Sequence, residues 1–173
     1  MLILLEGIAM CFVLLMICVV GIANGPVGCV YFYEPNVQEK VVKLGLTTKK
    51  KIERSRKAVR IAIFAPFLIL VPGMVYFVNG ARGFGDIFIQ ITAILWIEGL
   101  FDRLFIDWYW VGKTKAWIIP GTEDLLPYIP KKALVGKWVG TIIGYPMLAA
   151  ILSGICLLFW YELRWEVQKG NKR

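Results

Sequence analysis

The sequence predicts an all-α integral membrane protein: one domain over residues 1–173, folded as a bundle of four transmembrane helices with the second and fourth kinked. Two observations predict the class. The chain is 58% hydrophobic with a mean hydropathy of +0.67, whereas soluble domains run nearer about 45–50% apolar. Its apolar residues also gather into four stretches that meet the roughly 20-residue length needed to cross a bilayer. These stretches cover about 2–23, 59–78, 87–111 and 134–161.

The first stretch ends at a Gly25-Pro26 break and has an apolar tail to Tyr33. A cleaved signal peptide is the rival reading. The segment lacks a basic beginning, carries Glu6 and is too long, so retention as a span is expected. The second stretch holds Pro66 and Pro72 and the fourth holds Pro146, which remove helix hydrogen bonds and predict the kinks. The fourth also carries Gly136, Gly140 and Gly144 at four-residue spacing. Small residues in that pattern let helix backbones approach closely. The expected use is packing within the chain, with a homo-oligomer through the same face as the alternative. Replacing Gly140 by Leu is then expected to push the fourth span off its neighbour.

Charge orients the set. The net charge is +8, but the positive residues flank apolar segments, so anionic lipid headgroups are expected as partners and nucleic acid is not. The stretch from Glu34 to Arg60 holds nine Lys and Arg, and Gly112 to Lys137 holds five. The opposite side holds five: Arg82, Arg164, Lys169, Lys172 and Arg173. The positive-inside rule then places loops 34–58 and 112–133 in the cytoplasm and both termini outside. Aromatic residues at Tyr31–Tyr33, Trp108–Trp110 and Trp138 suit one interface, and Tyr76–Phe77 and Phe159–Tyr161 the other. Short loops and the lack of an N-x-S/T signal fit a bacterial cytoplasmic membrane.

Within the first loop, Val37 to Leu46 suits a short interfacial helix ended by Gly45. Thr47 or Thr48 then caps a basic helix running into the second span. The basic stretch 40–60 is the expected contact for anionic headgroups. The second loop mixes three prolines (Pro120, Pro127 and Pro130) with Trp117, Leu125, Tyr128 and Ile129. That content suggests a segment folded back onto the membrane face or over the mouth of the bundle: an ordered interfacial loop, or a lid with Glu123 and Asp124 as its acidic residues. The outer turn, Asn79 to Asp86, is glycine-rich but follows no strand, so it reads as a turn and not a phosphate cradle.

The third stretch carries the chemistry. Glu98, Asp102, Arg103 and Asp107 lie inside it. Each ionisable group costs about 2.5–3.5 kcal/mol at a bilayer centre, so four in one segment mark a polar site, a wet cavity or a structural staple. On an α-helix Glu98 and Asp102 share a face, about 40° apart. Arg103 and Asp107 form a second pair rotated by about 140–180° from Glu98. No cation from another span is expected beside Glu98. Gln90, Thr92 and Thr141 are candidate hydrogen-bond partners, while Glu6 and Glu162 are expected at the interfaces.

The sequence contains no histidine, and Cys11, Cys18, Cys29 and Cys156 form no C-x-x-C. No metal site and no cofactor are therefore expected, and the thiols read as buried and free. H-E-x-x-H, G-x-S-x-G and ATP-binding motifs are missing, and the paired-aspartate pattern of the CDP-alcohol phosphotransferases is not met. The leading expectation is a membrane protein whose carboxylate site binds or transports a lipid-like or cationic small molecule, or protons. The alternatives are a small integral-membrane enzyme acting on a lipid, with Glu98 and Asp102 as acid and base, and an accessory subunit of a larger membrane complex.

Overall fold

The computed structural model describes the backbone over residues 1–170, with side chains over 1–159 and Tyr161. The readings that fall on Trp160, Glu162, Arg164, Lys169, Lys172 and Arg173 lie outside these described side chains. The described chain is all-helical and has four helices long and apolar enough to cross a membrane. The first, α1, runs Leu2–Ile22. A tight 3-10 turn over Pro26–Phe32 leads to a short helix, α2, at Pro35–Lys43. The second long helix, α3, runs Lys49–Gly73 and continues as a π-helical turn, Met74–Val78. The third, α4, runs Phe84–Phe101 and then widens into a π-helical stretch, Asp102–Val111. The fourth is built from α5 (Lys131–Val139), a π-helical turn at Gly140–Gly144, and α6 (Tyr145–Gly170).

Local signals explain the boundaries. Gly25 and Gly45 have φ of 91° and 73°, conformations that side chains disfavour, and each ends a helix or the turn after it. Thr48 caps α3 through its side chain, accepting from the Lys51 N–H at 3.3 Å. At 21 residues α1 is about 31 Å long, which matches a bilayer's apolar thickness.

The helix α4 lies at the centre. It packs extensively on α1 and α6, while α3 touches it sparingly. Along α1 the buried positions Glu6, Met10, Cys11, Leu14 and Cys18 recur every three or four residues and form one stripe. Met10 joins a core built with Phe67, Val71, Ile87, Ile91, Ile94, Leu95 and Leu152, and Leu14 and Cys18 pack with Ile106. The four cysteines are free and buried. Outward-facing positions are also apolar: Phe12 and Val20 on α1, Ile61 and Ile69 on α3, Ile89 on α4, and Ile151 and Leu158 on α6 are all exposed. A water-soluble surface does not carry apolar area on this scale, so the molecule suits an integral membrane protein.

The two long loops form one packed cap at the same end of the bundle. Cys29, Tyr33, Val37, Val41, Ile52, Trp117, Ile119 and Tyr128 bury each other there. Tyr33 donates its hydroxyl to the Trp117 carbonyl at 2.5 Å. Burial raises the Tyr33 phenol above its ordinary pKa, so it stays a donor. The Ile119 N–H donates to the Tyr128 hydroxyl at 3.1 Å, and Lys40 forms an ion pair with Asp124.

The glycine stripe is not an intramolecular packing face. A Cβ added at Gly136, Gly140 or Gly144 would meet nothing within 4 Å. The close approaches are at other glycines. A Cβ at Gly7 would lie 2.7 Å from Ile97, joining α1 to α4, and one at Gly99 would lie 2.6 Å from the Tyr145 ring and 2.8 Å from Thr141. The fourth span therefore turns Thr141, Tyr145, Ala149 and Ser153 inward, and its glycines outward.

Gly99→Ala is accordingly expected to lower stability in detergent by about 1–3 kcal/mol through overpacking. Gly140→Ala is expected to be neutral or to stabilise by up to about 1 kcal/mol through helix propensity. Thermal unfolding of both variants checks this. Equal losses would restore a packing role for the stripe.

Candidate functional site: a carboxylate-lined cavity in the bundle

A buried Arg can persist in an apolar bundle only if its charge is met nearby. Arg103 is 8% exposed. It donates Nη1 to Asp107 Oδ2 and Nη2 to Asp102 Oδ2. Asp107 also accepts at Oδ1 from Lys137 Nζ, 2.7 Å away on α5. The result is a four-residue ionic cluster joining the third and fourth spans.

The π-helical stretch decides where these groups point. In an α-helix a five-residue step turns about 140°, which would send Asp102 and Asp107 to different sides. With i→i+5 hydrogen bonding the helix has about 4.4 residues per turn, so a five-residue step overshoots one full turn by only about 50°. Asp102 and Asp107 therefore face the same way, and both line one cavity with Glu98. This corrects the expectation that Asp107 belongs to a separate face.

The cavity has a volume of about 260 Å³. Its apolar walls include Leu14 of α1, Phe67 of α3, Leu95 and Ile106 of the third span, and Leu148 of α6. Its polar end holds Glu98, Asp102, Asp107, Lys137 and Tyr145. Glu98 is 2% exposed, and its one hydrogen-bond partner among the described residues is the Tyr145 hydroxyl, at 3.3 Å. Asp102 and Asp107 share Arg103 and Lys137, so Glu98 is the carboxyl with no cation in contact. At the capped end Tyr33, Trp117 and Tyr128 complete the wall. The Trp117 indole N–H is buried with no hydrogen-bond partner among the described residues.

Other expected residues fall elsewhere. Glu123 and Asp124 are exposed and do not line the cavity. The Lys40 amine, hydrogen-bonded to Asp124, holds its carboxyl below the usual range. It is Trp117, Tyr128 and Ile129 of that loop that cover the mouth. Gln90 belongs to a second polar cluster: Asn79 Nδ2 donates to Glu6 Oε2 at 2.9 Å and to Gln90 Oε1 at 2.8 Å, and Gln90 Nε2 donates to Asp86. Glu6 is buried inside the bundle at 6% exposure, beside the turn that holds Asn79. Among the described residues Thr92 has no hydrogen-bond partner, and Thr141 donates to the Lys137 carbonyl.

Lys137 and Tyr145 were not anticipated as site residues. Lys137 counts as a loop cation by charge alone. The available signal was the polar series Lys137, Thr141 and Tyr145 at four-residue spacing, which marks one face of the fourth span. The described residues contain no His/Cys/Asp/Glu group arranged to hold a metal.

Removing Arg103 would strand two carboxylates with Lys137 alone. Arg103→Ala is expected to cost about 3–5 kcal/mol, the usual result of breaking a buried pair. Lys137→Ala should be milder, because its side chain is 40% exposed and Arg103 still meets Asp107. Chemical unfolding in micelles measures both. Equal losses would show that the cross-helix pair, and not Arg103, carries the cluster.

Comparison of this chain with protein-family models, with curated proteins and with solved structures gave no match.

Proposed function

We propose that the chain is a membrane-embedded binding protein for a lipid-like molecule with a hydrogen-bond donor or a cationic group. The donor end meets Glu98 and the apolar part lies against Leu14, Phe67, Leu95 and Leu148. The observation that carries this reading is Glu98 itself: a buried carboxyl in a cavity wall, with no cation in contact and one Tyr hydroxyl beside it. A cavity of about 260 Å³ suits a small amphiphile or a segment of a larger one. Bends at Pro66, Pro72 and Pro146 would keep α3 and the fourth span from closing on that space.

The expected outcome is a bound amphiphile in protein purified in mild detergent, found by extraction and mass spectrometry. Glu98→Gln keeps the shape but loses a charge-assisted hydrogen bond, worth about 1.5–3 kcal/mol, so occupancy should fall at least about tenfold. Leu148→Trp should fill the space and exclude the ligand. Unchanged occupancy in both variants would remove the cavity from the function.

The same reading places the capped end in the bacterial cytoplasm and both termini outside. It is supported by the 14 Lys and Arg of the stretches Glu34–Arg60 and Gly112–Lys137 against five on the other side, and by the packing of both loops at one end. Single cysteines replacing Ser55 and Gly83 should label from opposite sides of intact membranes. Labelling of both from one side would reverse this assignment.

A further inference from the structure

A second depression lies where the basic part of α3 meets the 26–32 turn. Arg56 and Arg60 stand one helical turn apart, and Ile63 and Phe64 follow on the same side of α3. With Tyr31, Phe32 and Val59 these residues line a groove of about 360 Å³. Three of its walls, Phe32, Ile63 and Phe64, are also walls of the Glu98 cavity. Phe32 and Phe64 are 44% and 50% exposed, so the cavity reaches the surface at this shared edge.

The chemistry changes along the groove. Arg60 is exposed and has no hydrogen-bond or ion-pair partner among the described residues. Arg56 gives Nη2 to Gln38 Oε1 at 2.6 Å and keeps further N–H donors. Below them the walls are aromatic and aliphatic. The exposed apolar surface of α3 starts at Ile61, so the two guanidinium groups stand at the water–hydrocarbon boundary. That is the level of lipid phosphates. Planar guanidinium groups match phosphate oxygens in a paired, fixed geometry. A soluble phosphate would use the arginines and leave the apolar walls bare.

We propose that this groove is a binding site for one anionic phospholipid. Arg56 and Arg60 hold its phosphate, and an acyl chain lies along Phe32, Ile63 and Phe64, where it seals the lateral mouth of the inner cavity. The site does not depend on what occupies the Glu98 cavity.

The test uses the full chain in micelles with phosphatidylglycerol or phosphatidylcholine added, read by native mass spectrometry. One phosphatidylglycerol should be retained in preference to phosphatidylcholine. R56A/R60A should lower that retention by roughly tenfold or more, from about 1 kcal/mol for each basic residue at a membrane surface. K50A/K51A removes the same charge from the same helix outside the groove and should leave retention unchanged. Equal loss in both double variants would show diffuse charge attraction and overturn the site. Displacement of the lipid by millimolar glycerol 3-phosphate would overturn the lipid assignment in favour of a free phosphate ester. If R56A/R60A fails to fold, R56K/R60K carries the test: retention several-fold weaker is expected, and unchanged retention overturns the proposal. Glu98→Gln should not alter phosphatidylglycerol retention, which separates this site from the inner one.

Discussion

An arginine inside an apolar bundle constrains everything near it. The charge of Arg103 cannot stay unpaired among helices with apolar outer faces. It is met by Asp102 on one side and Asp107 on the other. Both partners must then approach one guanidinium from the same helix. The π-helical stretch is the backbone geometry that allows this, since its wider turn brings positions 102 and 107 toward the same side. Lys137 adds a second cation from the fourth span and ties it to the third. The site's charge is thereby balanced at two carboxylates, and Glu98 is left over.

That cluster works only because the rest of the bundle is asymmetric. Glycines at positions 7 and 99 let α1 and the fourth span lie directly against α4. Association of helices in lipid depends on such close van der Waals contact, because lipid tails are as apolar as the helix faces. Among the described residues α3 has no such close glycine contact, and it touches α4 sparingly. The space that α3 leaves is the cavity. Its depth is set by Glu98, and its edge by Phe32 and Phe64. The Trp96 indole N–H donates to the Thr141 carbonyl at 3.1 Å, a further tie on the tightly packed side.

The loops finish the enclosure. Two segments distant in sequence meet through Tyr33 and Trp117, which are separated by 84 positions. Their apolar residues bury one another, and Lys40 and Asp124 pair at the rim, where solvent screening keeps such a pair weak. The cap is held by apolar packing, by the Tyr33 hydroxyl donating to the Trp117 carbonyl and by the Ile119 N–H donating to the Tyr128 hydroxyl. Its acidic residues face water.

The sequence by itself determined the four long apolar helices, because length and hydropathy act locally and need no knowledge of neighbours. It also determined a threonine cap at 47 or 48, of which the fold uses Thr48, together with the glycine stops, the buried free thiols and the unusual cost of Glu98, Asp102, Arg103 and Asp107. Only the tertiary structure decided which face of each helix turned inward. The Gly136, Gly140 and Gly144 stripe carries the pattern of a packing face, but Thr141 and Tyr145 won that position, since Gly99 offers them a matching hollow on α4. Asp107 joined the cavity because the helix widened, and side-chain angles taken from a regular α-helix cannot foresee a change of hydrogen-bonding register. Lys137 entered the site because a long side chain reaches back from the helix end to a buried carboxylate. Glu6 was drawn inside by Asn79, a partner 73 residues away. Each of these outcomes depends on which distant groups become neighbours, and local composition does not encode that.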